Sequence, residues 1–365
     1  MMKKNTKIII LIVVILLIVG VAVSVLLSEG TLNTKGDVNI TDVAGRTVQV
    51  PANPEKVLGT SPSSVSLMYM LAPEKLAGIP NAWNKEELPF IPDAYKNLPE
   101  IGGWYGKNTG NYEEYISANP DFVVESINPS VSSDIDIINE RQSKMGDIPV
   151  VAIYDTSDID NNTEVIAFVG KILGKEDQAK KLIDFNQGNL DKVKKVASSL
   201  SYSDKVSVYY AEDANGLKTE GPESDHTQLI RICGGRNVVD TVKDESTQVS
   251  IEQVIAWNPD KIITTNHEFY DKVYSNPQWA QINAVKNHEV YLSPDAPFTW
   301  FDKPVGLNNI MGVPWTAKVL YPNQFDNIDL IGDTQYFYKN FYHFDLSKEQ
   351  AKEILLDSGL KEKNL

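Results

Sequence analysis

The histidines are the first side chains to test for chemistry, because they serve both as metal ligands and as acid–base groups. No two of the four stand three or four positions apart, so no helix would present a histidine pair to a metal ion. The sequence also lacks a nucleophile elbow, a phosphate-binding loop and the His-Glu-x-x-His pattern. These residue types therefore do not predict an enzyme. A metal site, or a membrane-anchored metalloenzyme built from scattered histidines and carboxylates, stays a weaker alternative.

Aromatic side chains in loop-like segments give a stronger indication of binding. Trp83, Trp104-Tyr105 and Trp300-Phe301 stand among Gly, Pro and Asn residues and follow no helical or strand period. Each of them alone is equally well explained by packing in a core. Together they favour a wall for a large flat or greasy ligand, held by stacking and cation–π contacts.

A unit that occurs twice, 139 residues apart, predicts how the chain positions such a wall. The copies are Asn111–Asp121 and Ser250–Asp260, and an apolar run follows each. Two copies indicate two similar lobes, and a cleft between lobes commonly binds small ligands. Glu113 matches Glu252, in the first turn of a predicted helix in each copy. Taken alone, each glutamate is explained as a solvated acid that the helix dipole favours in the first turn. Their equivalent places on two lobes favour a pair of docking contacts.

The repeated unit is a helix followed by a buried strand, which predicts an α/β fold. Asn111 with Glu114, and Ser250 with Gln253, have the spacing of a capping box. The proline of each Asn-Pro-Asp triplet ends the helix, because proline disfavours a helical conformation of the residue before it. A hairpin over 38–50, turning at Ala44-Gly45, comes before the first unit.

Composition excludes several partners. The net charge of −15 opposes binding to nucleic acid and to anionic lipid head groups. The single cysteine, Cys233, allows no disulfide within the chain and indicates a buried, inert thiol.

The amino terminus predicts the compartment. Three lysines precede residues 8–27, which carry no charge and are long enough as a helix to cross a bilayer. Lysines before the segment keep that end inside and direct the remaining chain outward. A cleaved secretory signal and an uncleaved anchor are the two interpretations. We favour the anchor, because the segment is long and its end offers a weak cleavage site.

The expected organisation has five parts. Residues 1–28 are the anchor or signal, 29–37 a tether, 38–160 lobe one, 161–200 a connecting helix, and 201–365 lobe two with C-terminal helices packed on it.

A series of short motifs from Asp42 onward resembles the class III substrate-binding proteins of ABC importers, which take up cobalamin, haem and iron–siderophore complexes. The motifs are Asp42-Val-Ala-Gly-Arg-Thr-Val, Gly102-Gly103, Cys233-Gly-Gly-Arg-Asn-Val-Val, the two glutamates with their Asn-Pro-Asp triplets, Trp300-Phe301-Asp302-Lys303-Pro304, Trp315 and Leu320-Tyr321-Pro322. Each piece is weak alone, but their order and spacing together are specific. The chain departs from the family's pattern at its amino terminus, where no cysteine is available for lipidation.

The resemblance implies two Rossmann-like lobes joined by a single long helix, with the ligand cleft between them and little closure on binding. It also implies that Glu113 and Glu252 pair with arginines of the permease. Segments that resemble cleft-lining ones contain Ser61, Ser63, Trp83, Trp104, Tyr105, Glu220, His226, His267 and Trp300.

The expected function is therefore that of an extracytoplasmic, membrane-anchored monomer that captures an iron complex, such as a siderophore or haem. It delivers the complex to an ABC permease whose ATPase lies on the cytoplasmic side. It uses no cofactor and catalyses no reaction. Alternatives are a receptor for cobalamin, or for a nickel or cobalt chelate held partly by His226 or His267. A sensor or adhesin would bind its ligand without needing both glutamates.

Overall fold

The computed structural model describes residues 36–159 and 162–365 of the chain. The predicted anchor over 8–27 and nearly all of the predicted tether lie outside these residues. Across the described part, no helix combines the length and the apolar character that a membrane span requires.

Strands and helices alternate along most of the chain. The strands are β1 Asp37–Thr41, β2 Thr47–Pro51, β3 Val57–Gly59, β4 Phe122–Ile127, β5 Val150–Tyr154, β6 Ser207–Ala211, β7 Lys218–Glu220, β8 Arg236–Asn237, β9 Ser246–Gln248, β10 Lys261–Thr264 and β11 Val290–Leu292. The α-helices are α1 Pro62–Leu71, α2 Tyr112–Ala118, α3 Ser132–Met145, α4 Thr163–Leu173, α5 Glu176–Ala197, α6 Gln228–Ile232, α7 Ile251–Trp257, α8 His267–Val273, α9 Asn283–Lys286, α10 Gly312–Leu320, α11 Leu330–Phe337 and α12 Lys348–Asp357. A π-helical turn, Tyr338–Tyr342, continues α11.

Each lobe is built on a parallel sheet, which confirms the predicted α/β class. Lobe one has the strand order β3-β4-β5, and lobe two has the order β11-β10-β6-β8. The predicted hairpin forms from β1 and β2, with Gly45 at a φ of +74° in its turn. The buried Asp42 carboxylate accepts hydrogen bonds from the Arg46 side chain and from the Ala152 N–H at 3.2 Å. The hairpin is therefore tied to β5.

The repeated unit performs the same structural task in both lobes. Helix α2 ends at Asn119 (φ 48°) and α7 ends at Asn258 (φ 44°), both in the left-handed conformation that asparagine tolerates. The Asp121 carboxylate then accepts N–H groups just before β3, and the Asp260 carboxylate accepts the N–H and the hydroxyl of Ser207. Each aspartate thus fixes the start of the strand beside its own.

The two predicted capping boxes have different outcomes. Ser250 and Gln253 form the reciprocal box at the start of α7. The box predicted for α2 is wrong, because Asn111 Oδ1 accepts the N–H of Glu113 at 3.0 Å, one position earlier than a box requires.

The connection between the lobes contains a single long helix, α5, as predicted, and the shorter helix α4 precedes it within the predicted range 161–200. Helix α4 ends at Gly174, which has a φ of +64°, and α5 starts two residues later. A left-handed glycine ends a helix at little cost, so the residue type permits the break. Helix α5 still has 22 residues, about 33 Å, and packs against α4 on one side and α10 on the other.

The C-terminal residues contact both lobes. Trp315 of α10 donates through Nε1 to Ser358 Oγ at 3.0 Å. Tyr69, in lobe one, donates its hydroxyl to the Tyr342 carbonyl at 3.3 Å, and its own carbonyl lies 2.9 Å from His343 Nε2. The C-terminal residues, which we expected to pack on lobe two, therefore also contact lobe one. One buried apolar cluster runs through both lobes and restricts their relative movement.

Candidate ligand-binding site

A cavity of about 820 Å³ lies between the two lobes. Lobe one contributes the start of α1 and the loop 79–87, and lobe two contributes His267 and the loop 295–304. The lobe-two loop follows β11, at the carboxyl end of a parallel strand, where ligand sites of α/β folds are commonly found.

Aromatic side chains from both lobes meet at this cavity. The Trp83 indole donates through Nε1 to the Tyr95 carbonyl at 2.9 Å, which fixes the orientation of its ring. The ring centroid of Trp83 lies 5.8 Å from that of Phe298, which also lines the cavity. Tyr69 lies behind both of these rings, at 5.9 Å from Trp83 and 5.4 Å from Phe298. Because the indole N–H is already bonded, Trp83 offers mainly apolar ring surface to a ligand.

Acidic groups line another part of the wall. Glu87 Oε2 accepts the N–H of Asn84 at 2.8 Å. Burial raises the pKa of Glu87, and the nearby negative charge of Asp295 adds to the rise. The Asp295 carboxylate lies 2.8 Å from Nε2 of His267, whose side chain is exposed. Within 36–159 and 162–365, no group of three or more His, Cys, Asp or Glu side chains is arranged to hold a metal ion.

The structure brings some of the predicted ligand residues to the cavity. Trp83 and His267 line it. Tyr105 donates its hydroxyl to Oδ1 of Asn81, a lining residue, at 2.8 Å. Ser61 and Ser63 flank Pro62 on the wall, and the Ser61 hydroxyl caps α1 by accepting the N–H of Ser64.

Glu220 and His226 are not among the lining residues and belong to a polar cluster in lobe two. Its centre is the buried Asp302 carboxylate, which accepts the Tyr210 hydroxyl at 2.6 Å and contacts Nδ1 of His226. The hydrogen bond with Asp302 raises the pKa of His226, although burial opposes the rise. Glu220 accepts the Ser224 hydroxyl at 3.3 Å. The polar cluster thus supports the loop that carries Lys303.

Trp104 and Trp300 lie away from the cavity, contrary to our expectation. The Trp104 ring stacks under the Arg141 guanidinium, 4.0 Å from the ring centroid, inside lobe one. Trp300 is completely buried in the core, with its ring 6.4 Å from that of Tyr338. Both side chains pack against other parts of the protein, with Trp104 half-buried and Trp300 fully buried.

Several cavity residues were missed by the sequence analysis, notably Glu87, Asp295, Phe298 and Lys303. The signal that could have found three of them is a proline-rich loop directly after a short apolar strand, over 294–304. Glu87 gives no such signal.

A second, more polar cavity of about 600 Å³ opens between the lobes, beside 127–130, 154–158 and 225–231. Ser157 of lobe one donates to the Asp225 carboxylate of lobe two at 3.1 Å across it. Gly306 of lobe two packs closely against lobe one, because a Cβ built there would lie only 3.2 Å from Ser63 and 3.5 Å from Thr156.

Glu113 and Glu252 are exposed, as predicted, in the first turns of α2 and α7. Neither of them lines the main cavity.

The family model described as "Periplasmic binding protein" matches residues 57–297. The molybdate-binding protein MolA of Haemophilus influenzae is 25% identical over 346 residues, which cover 90% of this chain and 97% of that protein. An ABC transporter substrate-binding lipoprotein of Bacillus subtilis, YvrC, is 25% identical over 79% of this chain and 87% of its own length.

Two further similarities complete the comparison. The high-affinity haem uptake protein IsdE of Staphylococcus aureus is 25% identical over 65% of this chain and 79% of its own length. Among solved structures, an ABC transporter solute-binding protein from Sulfurospirillum deleyianum superposes with a TM-score of 0.79 and 29% identity, over 87% of this chain and 98% of that one.

Proposed function

Because the chain belongs to the periplasmic binding protein family, we propose that it captures a metal complex, in the first place an iron complex, for an ABC importer. The chain is a substrate-binding protein of an ABC transporter, and its similarity to MolA and IsdE supports a metal-related cargo. The observation that carries the proposal is the interlobe cavity of about 820 Å³ with Trp83 and Phe298 on its wall.

The size and chemistry of the cavity favour a complex over a bare ion. Its volume falls in the range of pockets that enclose drug-sized ligands, roughly 300–1,000 Å³. A bare ion would leave most of that space to water and would make no use of the aromatic wall. A siderophore or haem would bury its organic part against Trp83 and Phe298.

Two further parts of the proposal concern partners and location. Glu113 and Glu252 dock the protein on its permease by pairing with basic residues there. The segment 8–27 anchors the chain, with the working part outside the membrane. The similarity to a substrate-binding lipoprotein supports that location.

A nickel or cobalt chelate is the second candidate, and His267 is the observation that favours it. Its imidazole is exposed on the cavity wall, and the contact with Asp295 orients the ring, as carboxylates hydrogen-bonded to metal-ligating histidines commonly do. In that case His267→Ala weakens binding of a nickel–histidine complex at least tenfold. If a stacked siderophore is the cargo, the same substitution changes the affinity for that siderophore less than twofold. Calorimetric titration measures both affinities. Cobalamin is a third candidate, supported by the similarity to vitamin B12-binding proteins.

The proposed function is tested by equilibrium binding. The full-length chain is titrated with ferric hydroxamate, catecholate and citrate complexes, haemin, cobalamin and nickel–histidine, each beside its metal-free form. The proposal expects one metal complex to bind at submicromolar concentration. Recovery of a chemically altered ligand would show an enzyme instead. Binding of a free divalent ion alone would indicate that the histidines, and not the aromatic wall, form the binding site.

A further inference from the structure

Two lysines share one buried carboxylate at the edge of the cavity. Lys303 lines the cavity, and its Nζ contacts Glu212 Oε1. Nζ of Lys218 contacts the same oxygen. The Glu212 side chain is only 5% exposed, and its Oε2 has no hydrogen-bond partner among the residues that the structure describes. One buried negative charge thus faces two positive charges at the edge of the cavity.

The backbone of Lys303 is held in place independently of its side chain. Its φ of 54° lies in the left-handed region, which is uncommon for lysine and marks a constrained position. Its N–H donates to Asp302 Oδ1 at 2.7 Å, and the Asp302 carboxylate is itself held by Tyr210 and His226. The ammonium group can therefore change partner by side-chain rotation alone.

A change of partner would leave no uncompensated buried charge. When Lys303 turns toward the cavity, Lys218 continues to compensate Glu212. Losing the sole partner of a buried charge is strongly destabilising, and the second lysine removes that penalty. Burial also lowers the pKa of Lys303, because its ammonium is poorly hydrated, so an anionic partner in the cavity would stabilise the charged form.

Building on the proposed function, we propose that Lys303 binds an anionic oxygen of the cargo and leaves Glu212 to Lys218 when it does so. The anionic oxygen comes either from a carboxylate of the metal complex or from a free metal oxyanion such as molybdate. Glu87 and Asp295 also line the cavity and would repel such a group. The cargo therefore binds with its anionic group at Lys303 and its apolar part against Trp83.

The test compares three variants of the full-length chain. Lys303→Met removes the anion partner, Lys303→Arg keeps the positive charge, and Glu212→Gln removes the competing carboxylate. Each is titrated calorimetrically with sodium molybdate, with ferric citrate as a carboxylate-rich complex, and with a neutral ferric tris-hydroxamate. Thermal melting checks that each variant is folded.

We expect Lys303→Met to weaken binding of the anionic probe at least tenfold, about 1.4 kcal/mol, and binding of the neutral complex less than twofold. Lys303→Arg restores most of the affinity, and Glu212→Gln strengthens anion binding, which a purely structural role for Lys303 would not produce. Whether molybdate or ferric citrate responds identifies the source of the anionic oxygen.

Two results would overturn the inference. If Lys303→Met leaves anion binding unchanged, or weakens anionic and neutral probes equally, the inference is wrong while the proposed function stands. If the unaltered chain binds no metal complex and no oxyanion, the proposed function fails, and the inference fails with it.

Discussion

Reversing the charge of Glu113 and Glu252 together, the two glutamates proposed to dock on the permease, should separate ligand capture from delivery. In the double variant Glu113→Lys/Glu252→Lys, both changes fall on exposed first-turn positions of seven-residue helices, α2 and α7. Neither residue lines the cavity between the lobes. We therefore expect cargo affinity within twofold of the unaltered chain and a complete loss of uptake.

The magnitudes of the two effects differ widely. An exposed acid near a helix amino terminus contributes about 0.3–1 kcal/mol to stability. Replacing it with a base removes this contribution and adds an unfavourable one of similar size, so each reversal lowers the free energy of unfolding by about 0.6–2 kcal/mol. At the permease interface, breaking a charge pair costs about 2–5 kcal/mol. Two broken pairs amount to at least about 4 kcal/mol, which weakens docking about a thousandfold. Stability thus falls modestly while docking is lost.

The assay measures uptake of the labelled metal complex in cells that express the chain with its permease and ATPase, beside calorimetric titration of the purified variant. A matched control is Glu114→Lys/Glu349→Lys, which makes the same change in net charge at exposed first-turn acids of α2 and α12. The control should retain uptake. Equal loss of uptake in both variants, or loss of cargo affinity in the test variant, would refute the docking role.

Two further predictions concern stability. Asn258→Ala places an alanine at a φ of 44° and should lower the free energy of unfolding by about 1–2 kcal/mol, while Asn258→Gly should lower it less. Chemical denaturation measures both variants. Equal losses of stability would show that the left-handed conformation is not the cause. Burial would raise the pKa of Glu289, but hydrogen bonds from Lys261 and Tyr291, among others, lower it to about 2. The ionised Glu289 therefore stabilises the folded protein at neutral pH, and this stabilisation is lost as the pH falls from about 4.5 toward 2. Glu289→Gln should therefore be about 1–2 kcal/mol less stable at pH 7 and equal to the unaltered chain near pH 2, and a constant difference across this range would contradict the reasoning.

Much of the fold could be predicted from the sequence, because the helix ends and strands of the repeated unit depend on residues close together in the chain. Asn119 and Asn258 end their helices where the triplets predict, and each following apolar run enters a parallel sheet. Ser61 caps α1, with Pro62 in the first turn, which is a local pattern typical of helix starts. The break at Gly174 shows the limit of this reasoning, since several glycines between 163 and 200 could have ended a helix and only tertiary packing selects one.

The candidate site was less predictable, because it depends on contacts between distant residues. Trp104 and Trp300 stand in loops as Trp83 does, yet Trp104 packs so closely on Gly110 that a Cβ there would lie 2.7 Å from the indole. No local pattern shows which face of a loop turns inward. Likewise, the contact between Glu212 and Lys303 joins residues 91 positions apart, and neither residue type indicates it.

The most direct test of the account is a tryptophan-fluorescence titration of the full-length chain and of its Trp83→Phe variant with the panel of metal complexes. Trp83 is the one tryptophan of the described residues that lines the main cavity. We predict saturable quenching at submicromolar concentration by one metal complex. In the variant most of this quenching should disappear, while calorimetry still records the affinity within a few-fold. Quenching that persists unchanged without Trp83, or no binding of any metal complex, would contradict a metal-complex receptor with its site in this cleft.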